Sequence, residues 1–197
     1  MRNRIEGGEL FERVIDDDFV LTEQGKPQTI SYFSTQGDLR LSLGLLVDTS
    51  MSQEHVLVAE RSASLQFLDQ VLRPDRDKAC ILQFDSRVLI RSTLTNSYVK
   101  LEEALTQVDT PSNSELRRGV GNGTVLYDAI DTAARFQLKD QTGRKAVILL
   151  TDGVDVGSNS TLAEAIDSAQ QNDTLIYSIL FADRNGDTGR RQLMKLS

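Results

Sequence analysis

Apolar residues fall along this chain in two alternating patterns. In residues 41–47, 78–84, 146–150 and 174–181 most positions are apolar with no helical rhythm, as in Leu41-Ser42-Leu43-Gly44-Leu45-Leu46-Val47. Short runs of this kind predict strands covered on both faces, the environment of a parallel sheet. Between them, apolar positions recur at helical spacing. Residues 53–72 place Val56, Ala59, Ala63, Phe67 and Val71 on one face and Glu60, Arg61, Gln66 and Asp69 on a solvated one, before Pro74 stops the helix. Residues 98–108 repeat the pattern through Leu101, Leu105 and Val108, and residues 161–171 through Leu162, Ile166 and Ala169, with Ser160 or Thr161 as N-cap. A helix opening near Thr124 turns Leu126, Ile130, Ala133 and either Phe136 or Gln137 inward, and residues 190–196 begin a last one.

The segment Arg87-Val88-Leu89-Ile90-Arg91 alternates polar and apolar residues like an edge strand. Only Asp85-Ser86 separates it from the strand before, so the two form a tight antiparallel hairpin in which Asp85 serves the turn. Strands alternating with helices predict an α/β fold. The expected form is Rossmann-like and doubly wound: a mostly parallel sheet with one antiparallel edge strand and helices on both faces. Residues 1–38 read differently. An acidic lead-in ends in Asp16-Asp17-Asp18, without the spacing or closing Glu of an EF-hand. A β-hairpin follows, with residues 19–23 and 28–33 flanking Gln24-Gly25-Lys26-Pro27, and residues 34–38 form a linker. The expected division is therefore 1–38 and 39–197, with no internal repeat of 20–50 residues.

The chemistry gathers at strand ends. Asp48, Ser50 and Ser52 put one carboxylate and two hydroxyls at the carboxyl end of the first core strand. These hard oxygen donors suit Mg²⁺ or a similar divalent cation, and the same residues could equally cap a helix and solvate a turn. Thr124 follows the glycine-rich loop Gly121-Asn122-Gly123, and Asp152 ends a second core strand. In a doubly wound sheet such strand ends meet at the topological switch point, where ligands bind. Asp128, near a helix start, reads either as structural or as a support behind the ligands, not a direct ligand, and Asp155 as an outer participant. Arg117 and Arg118 are exposed arginines that could greet an acidic ligand. His55, the only histidine, makes a zinc site or a serine–histidine–acid arrangement implausible.

Asp48-Thr49-Ser50-Met51-Ser52, Thr124 after its glycine-rich loop, and Thr151-Asp152-Gly153 together resemble a von Willebrand factor type A domain over roughly residues 39–197. The wording of the three motifs is most similar to the bacterial "VWFA-related" branch. The resemblance implies a metal-ion-dependent adhesion site built from Asp48, Ser50, Ser52, Thr124 and Asp152, holding Mg²⁺ or alternatively Mn²⁺ or Ca²⁺. It implies a protein partner whose Asp or Glu completes the coordination, and hence a binding domain, not an enzyme. It also implies that residues 1–38 are the remnant of a small β module. By the same resemblance the domain is expected to be cut short at its C-terminal end, and its setting to be secreted, periplasmic or cell-surface, although residues 1–8 lack the apolar core of a secretory signal.

Two rival readings use the same residues. Asp48 could serve a metal-dependent phosphatase or phosphoryl-transfer enzyme. Haloacid dehalogenase-type phosphatases, however, carry a second Asp where this chain has Ser50, and neither the paired acids and late lysine of receiver domains nor a glycine-rich phosphate loop is present. A metal-free structural scaffold is the other, and it leaves five intact ligand positions without a purpose.

Bulk properties narrow the partners. A net charge of −7 argues against a nucleic-acid partner, since phosphate binding needs a basic face. With 39% hydrophobic and 26% charged residues, the 197-residue chain has the composition of an ordinary globular protein. No run approaches the ~18 apolar residues of a membrane span. The single Cys80 lies in an apolar strand, as a buried structural thiol.

Overall fold

The computed structural model describes residues 3–4, 10–11, 19–30, 39–119, 121–181 and 187–197. The chain divides into two compact units, Met1–Leu39 and Arg40–Ser197. In the first, β1 (Asn3–Arg4) pairs antiparallel with β2 (Leu10–Phe11), and β3 (Leu21–Glu23) with β4 (Lys26–Gln28). The β3–β4 turn is shorter than the four residues expected. Gln24 and Gly25 alone form it, both at positive φ (49° and 76°), which matches the twist of the flanking strands and brings Lys26 and Pro27 into β4. Residues 31–33, assigned to the same hairpin from the sequence, lie outside the described residues, as do 12–18 and 34–38.

The second unit is built on a five-stranded sheet of order β7-β6-β5-β8-β9. Its strands are β5 (Leu41–Asp48), β6 (Lys78–Phe84), β7 (Val88–Thr95), β8 (Arg144–Thr151) and β9 (Thr174–Leu180). Three neighbouring pairs are parallel, and β7 runs antiparallel to β6 at one edge, as the short Asp85-Ser86 connection requires. The chain winds outward from β5 through β6 to β7, then returns to the other side of β5 for β8 and β9. The carboxyl ends of β5 and β8 therefore flank the point where the winding reverses.

Two apolar clusters sandwich this sheet. Leu43, Leu45 and Val47 point to one side, where α1 (Leu57–Val71) and α2 (Tyr98–Thr106) supply Leu57, Leu68, Leu101 and Leu105. Leu46, Val147 and Leu149 point to the other. There α4 (Leu126–Thr132), α5 (Leu162–Gln171) and α6 (Asp187–Leu196) supply Leu126, Ile130, Ala165, Ala169, Leu193 and Leu196. A short α3 (Asn113–Leu116), with a capping box between Ser112 and Glu115, precedes the glycine-rich loop. The same device starts α5, through Thr161 and Glu164.

Two helices turn differently from their sequence pattern. In α1 the buried positions are Leu57, Glu60, Ser64 and Leu68, whereas Ala59, Ala63 and Val71 are exposed. Two apolar stripes compete on this helix. The stripe that faces the sheet sets Leu57 and Leu68 among Leu43, Leu45 and Val47, with Leu65 and Phe67 packed at its flank, and it carries Glu60 into the interior with it. After α4 the chain continues as a π-helix, Ala133–Leu138. Its wider turn carries Phe136 out to 72% exposure and buries Leu138 in the place expected for Phe136 or Gln137.

Candidate metal centre

Asp48 is fully buried at the end of β5. Its Oδ1 accepts from the Ser50 N–H at 2.9 Å and its Oδ2 from the Thr151 hydroxyl at 2.5 Å. Burial pushes its pKa up to about 6, against the pull of these hydrogen bonds and with a smaller upward push from Asp152. Asp48 is therefore oriented from both sides, and one of the two holders is a residue of the neighbouring strand. Thr151 had no assigned role in the sequence reading. The signal was present, because a hydroxyl ending a buried strand next to Asp152 must find a partner.

A chain of oxygens runs from β5 to β8 across this point. Ser50 Oγ and Ser52 Oγ lie 3.1 Å apart, and Ser52 Oγ donates to Asp152 Oδ2 at 2.8 Å. The other Asp152 oxygen accepts from the Val154 N–H at 3.0 Å. Four of the five expected side chains, Asp48, Ser50, Ser52 and Asp152, thus come together. Thr124 reaches the same edge of the sheet by its backbone. It exchanges two 2.9 Å hydrogen bonds with Val156, just past Asp152, and Val125 N–H donates to the Asp85 carbonyl at 2.7 Å. Among the described residues no hydrogen bond joins the Thr124 side chain to the cluster. Its loop is pinned further by the Gly121 N–H on Ser86 Oγ, at 2.8 Å.

The donor set fits a small hard cation. At a metal–oxygen distance of about 2.1 Å, adjacent ligands of an octahedron stand about 3.0 Å apart. The serine and aspartate oxygens already hold that spacing. Among the described residues no group of three or more His, Cys, Asp or Glu is arranged to hold a metal, so coordination here would depend on hydroxyls beside the two carboxylates.

Other acidic residues near the site have structural work. Asp128 accepts the Asn159 and Ser160 N–H groups at 2.9 and 2.8 Å; burial works to raise its pKa, but these bonds hold it below the ordinary range. Asp155, expected to be an outer participant, accepts from the Tyr127 N–H and the Ser158 hydroxyl at the start of α4. Asp85 serves its turn, accepting from Ser86 and the Arg87 N–H. Glu60 has no such partner among the described residues. It is 1% exposed, neither carboxyl oxygen is hydrogen-bonded to any of them, and burial together with the Asp48 charge pushes its pKa up to about 7. Gln53, also buried, stretches its amide nitrogen 3.4 Å to both Ser52 Oγ and the Phe181 carbonyl. His55, Arg117 and Arg118 are exposed.

The fold and the oxygen cluster define a doubly wound α/β domain with a candidate cation site at its switch point. Residues 43–154 match the family described as the von Willebrand factor type A domain, more than half of the chain, and the protein belongs to that family. The structure is similar to that of the conserved hypothetical protein BatB from Bacteroides thetaiotaomicron (TM-score 0.59, 18% identity, covering 80% of this chain and 84% of that one). It is also similar to proximal thread matrix protein 1 from the mussel byssus, in a form with a zinc-occupied MIDAS motif (TM-score 0.62, 18% identity, 80% and 39%). A third likeness is to the pilus adhesin SpaC from Lactobacillus rhamnosus GG (TM-score 0.59, 14% identity, 81% and 27%). The chain thus spans well under half the length of the last two. At these identities the likeness is one of fold. A comparison with curated proteins gave no match.

Proposed function

We propose that this domain is a metal-dependent protein-binding module, not an enzyme, and that Asp48, Ser50, Ser52, Thr124 and Asp152 form an intact metal-ion-dependent adhesion site of the bacterial VWFA-related kind. The observation that carries this reading is the line of oxygens from Ser50 through Ser52 to Asp152, set at octahedral spacing beside a doubly held Asp48. Ser50, Ser52 and Thr124 would bind through neutral hydroxyls, and Asp48 and Asp152 would bind directly or through water. Two carboxylates only just balance a divalent cation, so a bound Mg²⁺, Mn²⁺ or Ca²⁺ would stay electrophilic and accept one more anionic oxygen. An Asp or Glu side chain of a protein partner supplies such an oxygen. The zinc-occupied MIDAS of the mussel thread protein and the adhesin role of SpaC support the reading by analogy of fold. A secreted, periplasmic or cell-surface setting would suit that role, and among the described residues no helix is long and apolar enough to cross a membrane.

The test is thermal unfolding of chelator-stripped protein against added Mg²⁺, Mn²⁺ and Ca²⁺, beside Asp48→Ala. At 100 times its dissociation constant the cation should stabilise the wild type by ~2.7 kcal/mol and the variant not at all. A wild type indifferent to all three cations would refute the site.

A further inference from the structure

Gly189 is the third residue of α6, a position where glycine supports a helix less well than alanine. Its main chain lies so close to the Thr151–Asp152–Gly153 turn that a methyl group on Gly189 would meet the Asp152 carbonyl oxygen and stand 3.2 Å from the Gly153 Cα. The reverse holds too. A methyl group on Gly153, itself at φ +79°, would stand 2.6 Å from the Gly189 carbonyl oxygen and 2.8 Å from its Cα. Two main chains touch here because neither carries a side chain.

The end of β9 holds the same turn from a second direction. The Phe181 N–H donates to the Thr151 carbonyl at 2.9 Å, and the Phe181 carbonyl accepts from the Gln53 amide that also reaches Ser52 Oγ. Further along, α6 is seated by buried Leu193 and Leu196 and by the Ser197 hydroxyl on Ser178 Oγ at 2.9 Å. Asp152 therefore sits in a turn touched by both sides of the β9–α6 connection.

We propose that α6 braces the Asp152 turn by direct backbone contact, and that Gly189 is a positioning residue for the Asp152 carboxylate. The proposal rests on the metal-site reading above and assigns a role to a residue 37 positions away from Asp152. Gly189→Ala adds one carbon at the contact while favouring the helix itself, so the lesion falls on the turn and not on α6. A matched control is Gly143→Ala, at φ +94°, where a methyl group would meet the Arg40 carbonyl at the opposite end of β8.

Mn²⁺ titrations of the two variants should separate. Gly189→Ala should bind at least tenfold more weakly than wild type, and Gly143→Ala within twofold, even where both melt lower without metal. Wild-type affinity in Gly189→Ala, or equal losses in both, would overturn the brace. Were Gly189→Ala not to fold, Leu193→Ala, which loosens α6 without adding an atom, is read in the same way. If the wild type binds no metal, the metal reading fails by itself and hydrogen exchange decides the brace. The Gly153 N–H, bonded to Thr151 Oγ1 at 3.1 Å, should then exchange at least tenfold faster in Gly189→Ala and unchanged in Gly143→Ala. Unchanged exchange in both would overturn it.

Discussion

Glu60 is the residue whose surroundings are hardest on it. A carboxyl group 1% exposed and without a hydrogen-bond partner among the described residues resists ionisation, and the nearby Asp48 adds repulsion. Its pKa rises from 4.5 to about 7 on folding, so the folded state holds a proton that the unfolded chain has released between those values. The stability this contributes is complete below pH 4.5 and is lost as pH rises through 7. Asp48, raised from 3.8 to about 6, acts in the same direction. Glu60→Gln removes the ionisation and keeps the shape. The metal-free variant is expected to be more stable than wild type by about 1–2 kcal/mol at pH 8, with the gap closing near pH 4.5. Denaturant unfolding at the two pH values checks this; a constant gap would mean that Glu60 does not titrate on folding.

The same residue shows where sequence legibility stops. Asp48, Ser50, Ser52 and Asp152 could be read as one site because each stands at or just beyond the end of an apolar strand, and strand ends in such sheets converge. Glu60 could not, because helical periodicity gave α1 two candidate faces, and only packing against Leu45 and Val47 chooses between them. The contacts of Asp155 were hidden for a related reason. Its distance along the chain from Asp152 says nothing of the free N–H groups at the start of α4, which claim it.

Among elements, β5 is held at both ends. Its carboxyl end carries Asp48, and its first N–H, on Leu41, donates to Asp77 Oδ1 at 2.8 Å. Asp77 also accepts from the Arg73 backbone N–H at 3.0 Å and from its guanidinium at 2.7 and 2.8 Å, tying the end of α1 to the start of the central strand. Burial works to raise the Asp77 pKa, but the Arg73 and Leu41 bonds hold it down at about 2, so its contribution is present above pH 3.8 and lost as pH falls through 2. Asp77→Asn replaces a buried carboxylate, 1% exposed, by a neutral amide that holds Arg73 and Leu41 less strongly, and should cost about 2 kcal/mol at pH 7. A midpoint unchanged in urea would show the tie to be dispensable. Pro74 marked the end of α1 in the sequence, but nothing there distinguished Asp77 from a solvated turn residue. Its role depends on Leu41, 36 positions earlier.

For the molecule as a whole, the two edges of the sheet differ. On one side β7 carries Arg91 and runs antiparallel with a register shift, features that discourage further pairing. On the other, β9 is parallel and uncharged, and it exposes Leu175, Tyr177 and Ile179 at alternate positions. Among the described residues nothing pairs with its outer edge. Such an edge invites association. The protein is expected to associate in a concentration-dependent way, and Tyr177→Lys to suppress it, as light scattering over a dilution series would report. Equal scattering from both would place any association elsewhere. The doubly wound order itself was legible, because apolar runs and helical stretches alternate. The exposed side of β9 was not, because its sequence reads like that of any strand covered on both faces.

The sole cysteine has a practical consequence. Cys80 lies fully buried in β6, with its thiol pushed up to about 12 by burial. The native surface is therefore blank to maleimides and other thiol probes. A cysteine placed at Met194, 72% exposed on α6, would be a unique attachment point for a dye or spin label, and the movements of that helix could be followed without first removing any natural residue.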